Sequence, residues 1–144
     1  MRIWLKKAKL FMDNSAIQLS KYCIEKAKEE LNIAKNLLNQ NFYAKSLNSS
    51  YYSMFHATRA LLSTEKADSK RHTGIIMLFN KLFIDTEKIP EQFFTFLDTA
   101  FNIRILSDYR DFYIATKQDA EKQIQNAEKF LEMVKNYLSK ITES

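Results

Sequence analysis

Residues 116–141 read TKQDAEKQIQNAEKFLEMVKNYLSKI, and the apolar positions within them keep helical time. Ala120, Ile124, Ala127, Leu131, Val134, Leu138 and Ile141 succeed one another at alternating spacings of four and three. Side chains so spaced stack on one face of a helix, which makes a heptad stripe suited to packing along a neighbouring helix. Thr116 followed by Asp119 predicts a capping box ahead of the stripe, with Asp replacing the more usual Glu.

The same period recurs upstream. Leu19, Cys23, Ala27, Leu31, Ala34, Leu37 and Leu38 outline a first helix, from a cap at Asn14 or Ser15 to about Gln40. After the polar break Asn39-Gln40-Asn41, a second helix from about Phe42 to Ser63 buries Leu47, Tyr51, Met54, Phe55, Leu61 and Leu62. Thr64 to Lys70 reads as a loop. Asp68 and Ser69 are candidate caps for a short third helix through Phe83, with Gly74 in its first turns, where glycine costs least. Pro90 suits the first position of a fourth helix, where its missing N–H matters little. That helix, to about Arg110, carries Phe93, Phe94, Phe96, Leu97, Phe101, Ile103, Ile105 and Leu106. Apolar nearly all round, it is expected to be central.

Glycine and proline occur once each in 144 residues, too few for the tight turns of an all-β fold. With 46% hydrophobic and 27% charged residues, the chain can bury a core without staples. The expected architecture is all-α, an antiparallel up-and-down bundle of about five helices. It forms a single domain over residues 1–144, with a basic N-terminal segment at 1–14 and the bundle at 15–140. One cysteine, Cys23, allows no internal disulfide, and Met1 to Lys9 contains no continuous apolar h-region. Both features predict a cytoplasmic chain, and no apolar run is long enough for a membrane span. The net charge of +5 permits contact with RNA or nucleotides. Arg2, Lys6, Lys7 and Lys9 supply much of that excess, and a solubilising basic end is the simpler account of it.

Several chemistries are excluded. One glycine cannot build a phosphate-cradling loop. The residues three before His56 and His72 are Ser53 and Ser69, so neither histidine sits in a Glu-x-x-His segment. Two histidines and one cysteine argue against a zinc site, and no metal or cofactor is expected. Cys23 lies on an apolar stripe and reads as core.

Arg104 is the oddity. Leu97, Phe101, Arg104, Asp108 and Asp111 share one face of the fourth helix, so an arginine continues an apolar stripe. Asp108, one turn on, is positioned to accept a charge-assisted hydrogen bond from it. Such a pair is either a semi-buried structural contact, fixing helix packing or a dimer, or an anion-binding arginine held ready at a groove. Tyr52, His56 and Arg59 make a second polar strip, on which His56 reads most simply as a core-edge histidine bonded to a neighbour. Arg71 and His72 open the third helix, where positive charge opposes the macrodipole unless an anion sits nearby. Solvent exposure explains that basic pair equally well.

Three blocks then acquire a common meaning: Tyr51-Tyr52-Ser53-Met54-Phe55-His56-Ala57, Arg71-His72-Thr73-Gly74 with Phe79, and Arg104-Ile105-Leu106-Ser107-Asp108-Tyr109. In order and spacing they resemble a HEPN (higher eukaryotes and prokaryotes nucleotide-binding) branch of small bacterial and archaeal proteins with an Arg-x-x-x-Asp-Tyr motif. The resemblance runs from about Cys23 to Leu138. It implies a helical bundle that commonly forms a homodimer and often pairs with a minimal nucleotidyltransferase, in modules that include toxin–antitoxin systems. Many such proteins are metal-independent ribonucleases, whose motif is an arginine followed after four to six residues by a histidine. Arg104 matches the arginine, but Tyr109-Arg110-Asp111 holds no histidine, and Ile105 replaces the frequent polar residue. A tyrosine with an ordinary pKa of about 10 is a poor general base at neutral pH. The candidate catalytic residues are therefore Arg104, Asp108 and Tyr109, and the candidate ligand-binding residues Arg104, His72, Arg71, His56 and Tyr52. Three readings follow: a nucleotide-, RNA- or partner-binding module, a ribonuclease toxin drawing on His56, His72 or Tyr109, and a dimeric scaffold.

Overall fold

The second helix, α2 (Tyr43–Ser63), is built around small residues: Ser46, Ser49, Ser50, Ser53, Ala57 and Ala60 are all buried. Small side chains let the first helix, α1 (Asn14–Asn39), approach closely. Ser46 Oγ donates to the Ala34 carbonyl and Ser53 Oγ to that of Ala27, each at 2.8 Å. Partners advance along α2 as they retreat along α1, so the two helices are antiparallel. Asn41 turns the chain between them at φ 65°, in the left-handed region that asparagine tolerates.

The computed structural model describes residues 14–109 and 113–142 of the chain. Three further helices complete it: α3 (His72–Phe79), α4 (Glu91–Asp108) and α5 (Lys117–Thr142). Among the described residues there is no strand, and the architecture is the all-α helical bundle that the periodicity predicts. The basic segment at 1–13, Arg110 and Asp111 lie outside the described residues, as does the position preceding α1. Asn14 and Ser15, expected to cap α1, lie inside it.

The predicted stripe of α5 holds, with Ala120, Ile124, Ala127, Leu131, Val134 and Ile141 buried. Its capping box forms in both directions: Asp119 N–H donates to Thr116 Oγ1 at 3.0 Å, and Thr116 N–H to Asp119 Oδ2 at 3.1 Å. Phe130 on α5 meets Phe79 on α3 and Phe93 on α4, with centroids 5.6 and 6.1 Å apart. These aromatic contacts join three helices in one core.

Five expectations need correction. The central helix is α2, not α4, of which only Leu97 and Ala100 are buried. Ile105 and Leu106 are exposed. Hydrophobicity all round a helix does not say how many neighbours cover it, and the serine–alanine seam of α2 admits helices on more than one side. On α1, Leu19 is exposed, and the buried line runs through Ala16, Ser20 and Cys23 instead. The third helix is α-helical only to Phe79 and continues as a π turn over Asn80–Ile84. Its N-cap is Arg71, with no side-chain cap, although Ser69 Oγ accepts the Arg71 N–H at 3.2 Å. Pro90 is the N-cap of α4, and its extended ψ of 145° places the first helical turn at Glu91.

Gly74 has a packing reason. A Cβ there would overlap both Oγ and Cβ of Ser69, so the loop lies directly against the helix backbone. That contact sets where His72, two residues earlier, leaves the loop. On the far side, Lys88 Nζ and a carboxylate oxygen of Glu65 are 2.7 Å apart and largely buried, tying the α2–α3 and α3–α4 connections together.

Candidate functional site

Tyr51 and Tyr52 are neighbours on α2, so their side chains leave the helix about 100° apart. Tyr51 enters the core and is fully buried, whereas Tyr52 is half-buried at its edge. Across from them α4 presents Arg104, half-buried, with its guanidinium carbon 5.6 Å from the Tyr51 ring centroid and 5.2 Å from that of Tyr52. Both distances are within cation–π range.

This replaces the expected Arg104–Asp108 pair. Among the described residues Arg104 forms no ion pair, and Asp108 is exposed near the end of α4. A solvated ion pair one helical turn apart gains only a few tenths of a kcal/mol. The faces of buried Tyr51 and half-buried Tyr52 on the facing helix offer more, and they orient the planar guanidinium as well.

His72, the first residue of α3, joins the same rings. Its Nδ1 lies 2.6 Å from Tyr51 Oη. The imidazole stacks on Tyr51 with centroids 5.7 Å apart, meets Tyr52 edge-on at 5.8 Å and packs 4.2 Å from Phe55. His56 borders the group, 5.7 Å from Phe55 and 6.2 Å from Tyr52. Phe101 closes it from α4, 5.8 Å from Tyr51. The fold thus gathers Tyr52, His56, His72 and Arg104, four of the sequence candidates. Arg71, the N-cap of α3, is exposed. Tyr109 is exposed too, at the C-cap of α4, and among the described contacts neither it nor Asp108 touches the group.

The electrostatics agree with the packing. Burial, reinforced by the Arg104 charge, lowers the pKa of His72. Burial likewise lowers that of His56, with Arg59, Lys26 and His72 acting in the same direction. Both imidazoles are therefore neutral near pH 7. Burial raises the Tyr51 pKa despite the opposing pull of Arg104, so the phenol keeps its proton.

Chemically, the arrangement can receive an anion beside an aromatic wall. A guanidinium lying on ring faces keeps N–H donors at its edge for a carboxylate or phosphate. Beyond Phe101 a groove of about 880 Å³ opens between α3 and α4, lined by residues that include Thr73, Met77, Phe94, Asp98 and Asn102. No three His, Cys, Asp or Glu side chains among the described residues cluster to hold a metal ion. None of the helices described is long and apolar enough to cross a membrane.

The residues that sequence reasoning missed are Tyr51 as the partner of His72 and Phe55 and Phe101 as walls. Their signal was present in Tyr51, Tyr52, Phe55 and His56, two pairs of ring-bearing neighbours one helical turn apart.

The class these features define is a helical bundle in which one helix brings an arginine, and the start of another a histidine, to a tyrosine pair. Residues 20–137 match the HEPN domain model, and the chain belongs to the HEPN family. It is similar to a candidate toxin of Methanocaldococcus jannaschii, 36% identical over 115 residues, which is 80% of this chain and 78% of the relative. A second candidate toxin of the same organism is 33% identical over 118 residues, 82% of this chain and 87% of the relative. A UPF0332 protein of Thermotoga maritima is 26% identical over 125 residues, 87% of this chain and 95% of the relative.

Proposed function

We propose that this HEPN protein binds RNA or nucleotide, with a phosphate on Arg104 and the adjoining nucleoside against the Tyr52 edge and the α3–α4 groove. The observation that carries this reading is the Arg104 guanidinium spread over Tyr51 and Tyr52, without a carboxylate partner among the described residues. A half-buried cation so placed is stabilised by ring faces and keeps its donor edge for an anion. Single-stranded RNA supplies both phosphates and bases that stack on aromatic side chains. The protein acts in the cytoplasm as a homodimer, in a module with a minimal nucleotidyltransferase and in keeping with its toxin-designated relatives. The test is binding of cellular RNA and of nucleotides by wild type and Arg104→Ala, alone and with a co-expressed nucleotidyltransferase. Loss of binding in a folded Arg104→Ala protein supports the reading. Absence of any ligand for wild type, alone and with the partner, overturns it.

One observation favours a second reading, a metal-independent ribonuclease. His72 and Arg104 pack on the same two tyrosines, so a neutral imidazole stands beside the arginine although the motif histidine is missing. In the tautomer with its proton on Nδ1, a neutral histidine has a free Nε2 and is competent as a general base. Cleavage of cellular RNA with growth arrest on expression, both lost in His72→Ala, supports that role. Cleavage that survives replacement of Arg104 and both histidines rules it out.

A further inference from the structure

The Tyr51 phenol is fully buried, and among the described residues its one hydrogen-bond partner is Nδ1 of His72, at 2.6 Å. Two proton arrangements suit that distance. In the first, Nδ1 carries a proton and donates it to Oη. The phenol hydrogen is then left among the rings of Tyr52, Phe55 and Phe101 with no acceptor, which is costly in a buried setting. In the second, the phenol donates to Nδ1, both groups are satisfied, and the imidazole proton resides on Nε2. Only the second leaves nothing unpaired.

We propose that Tyr51 is a positioning residue that holds His72 in its neutral Nε2–H form, so that the site offers a phosphate ester a fixed imidazole N–H donor beside Arg104. The ligand in this statement rests on the phosphate-binding reading above, whereas the tautomer stands on the Tyr51 geometry alone. Arg104 supplies the charge and His72 supplies direction, so recognition needs no protonated histidine. The surroundings of His72 favour the neutral ring. Arg104 faces it from α4, and Tyr51, Tyr52 and His56 from α2. The neighbouring cation Arg71 lies on its own turn, and Asp68 in the preceding loop is engaged by Arg59 at 3.4 Å. Affinity for a phosphate ester is consequently flat across neutral pH.

The experiment uses the full chain and begins with nitrogen-resolved NMR of the imidazoles at pH 7.5. In wild type, His72 is expected to show an unprotonated Nδ1 and a protonated Nε2. In Tyr51→Phe, which keeps the ring and removes only the donor, the two tautomers mix and the His72 pKa rises toward its ordinary value of about 6.5. The His56 resonances and the helical circular dichroism report whether that variant is folded. The second arm titrates a short oligouridylate without terminal phosphates, whose phosphodiesters keep the same charge from pH 7.5 to 6. Tyr51→Phe is expected to bind it up to about tenfold more weakly at pH 7.5 and to recover as the pH falls toward 6, while wild type stays level. His72→Gln, whose amide nitrogen replaces Nε2, retains binding, and His72→Asn, whose amide nitrogen replaces Nδ1, does not. A protonated Nδ1 in wild type, or an unchanged His72 spectrum in folded Tyr51→Phe, overturns the proposal. The expected tautomer with no oligouridylate binding by wild type removes the phosphate-ester part, and the phosphate reading with it, and leaves the positioning of His72 standing.

Discussion

The guanidinium carbon of Arg104 lies 5.2 Å from the ring centroid of Tyr52, so a cation on α4 is held by an aromatic face on α2 rather than by a carboxylate on its own helix. A planar cation gains from such a face in a way that a compact ammonium does not. Replacing Arg104 with Ala is expected to weaken RNA or nucleotide binding at least about tenfold with the fold intact. Arg104→Lys, which keeps the charge, should restore only a small part. Titration with fluorescent oligoribonucleotide, beside circular dichroism, checks both outcomes; full rescue by lysine would mean that charge alone matters.

Both histidines are held neutral by burial and by neighbouring positive charge, so their folded pKa values lie below the unfolded value of about 6.5. Between those values the unfolded chain binds more protons than the folded one, and stability rises with pH. The contribution is therefore fully present above about pH 6.5 and is lost as pH falls through the folded pKa values. Denaturation midpoints measured from pH 8 to 5 should fall in wild type and flatten in the His56→Gln, His72→Gln double variant.

Gly74 lies against Ser69 so closely that any Cβ collides. Gly74→Ala should cost about 1–3 kcal/mol through overpacking, outweighing the better helix propensity of alanine. Adding Ser69→Gly removes both overlapping atoms, and the double variant should recover much of the loss. Urea denaturation of the two single variants and the double variant decides the matter.

The Glu65–Lys88 ion pair is 2.7 Å long, with side-chain exposures of 16% and 13%. Glu65→Gln leaves a largely buried ammonium without its carboxylate and should cost about 2–4 kcal/mol. Glu65→Met with Lys88→Met removes both charges and should cost less than Glu65→Gln alone. Thermal unfolding of the three proteins gives the comparison.

Much of the bundle is legible in the chain because it follows from local rules. The heptad stripe of α5 and the reciprocal Thr116–Asp119 cap depend only on residues three and four apart, and both are present as read. The neighbours of α4 are not legible in the same way. Its all-round apolar character suits a central helix, yet α2 occupies the centre because serines and alanines admit close neighbours. Composition records what a helix can bury, and packing decides what reaches it.

The candidate site divides along the same line. Residue type and spacing alone single out Arg104, Arg71 and His72, since an arginine on an apolar stripe and a basic pair at a helix start are anomalies on one helix, whereas His56 and Tyr52 become candidates through the family resemblance. The sequence also suggests Asp108 as the arginine's partner, because only same-helix neighbours can be counted from spacing. Tertiary structure replaces that partner with Tyr51 and Tyr52 and brings His72 to the same rings across 21 positions of chain. The physical reason is that a cation's partner is chosen by desolvation and geometry between helices. Those are set by how α2, α3 and α4 pack, which no single segment encodes.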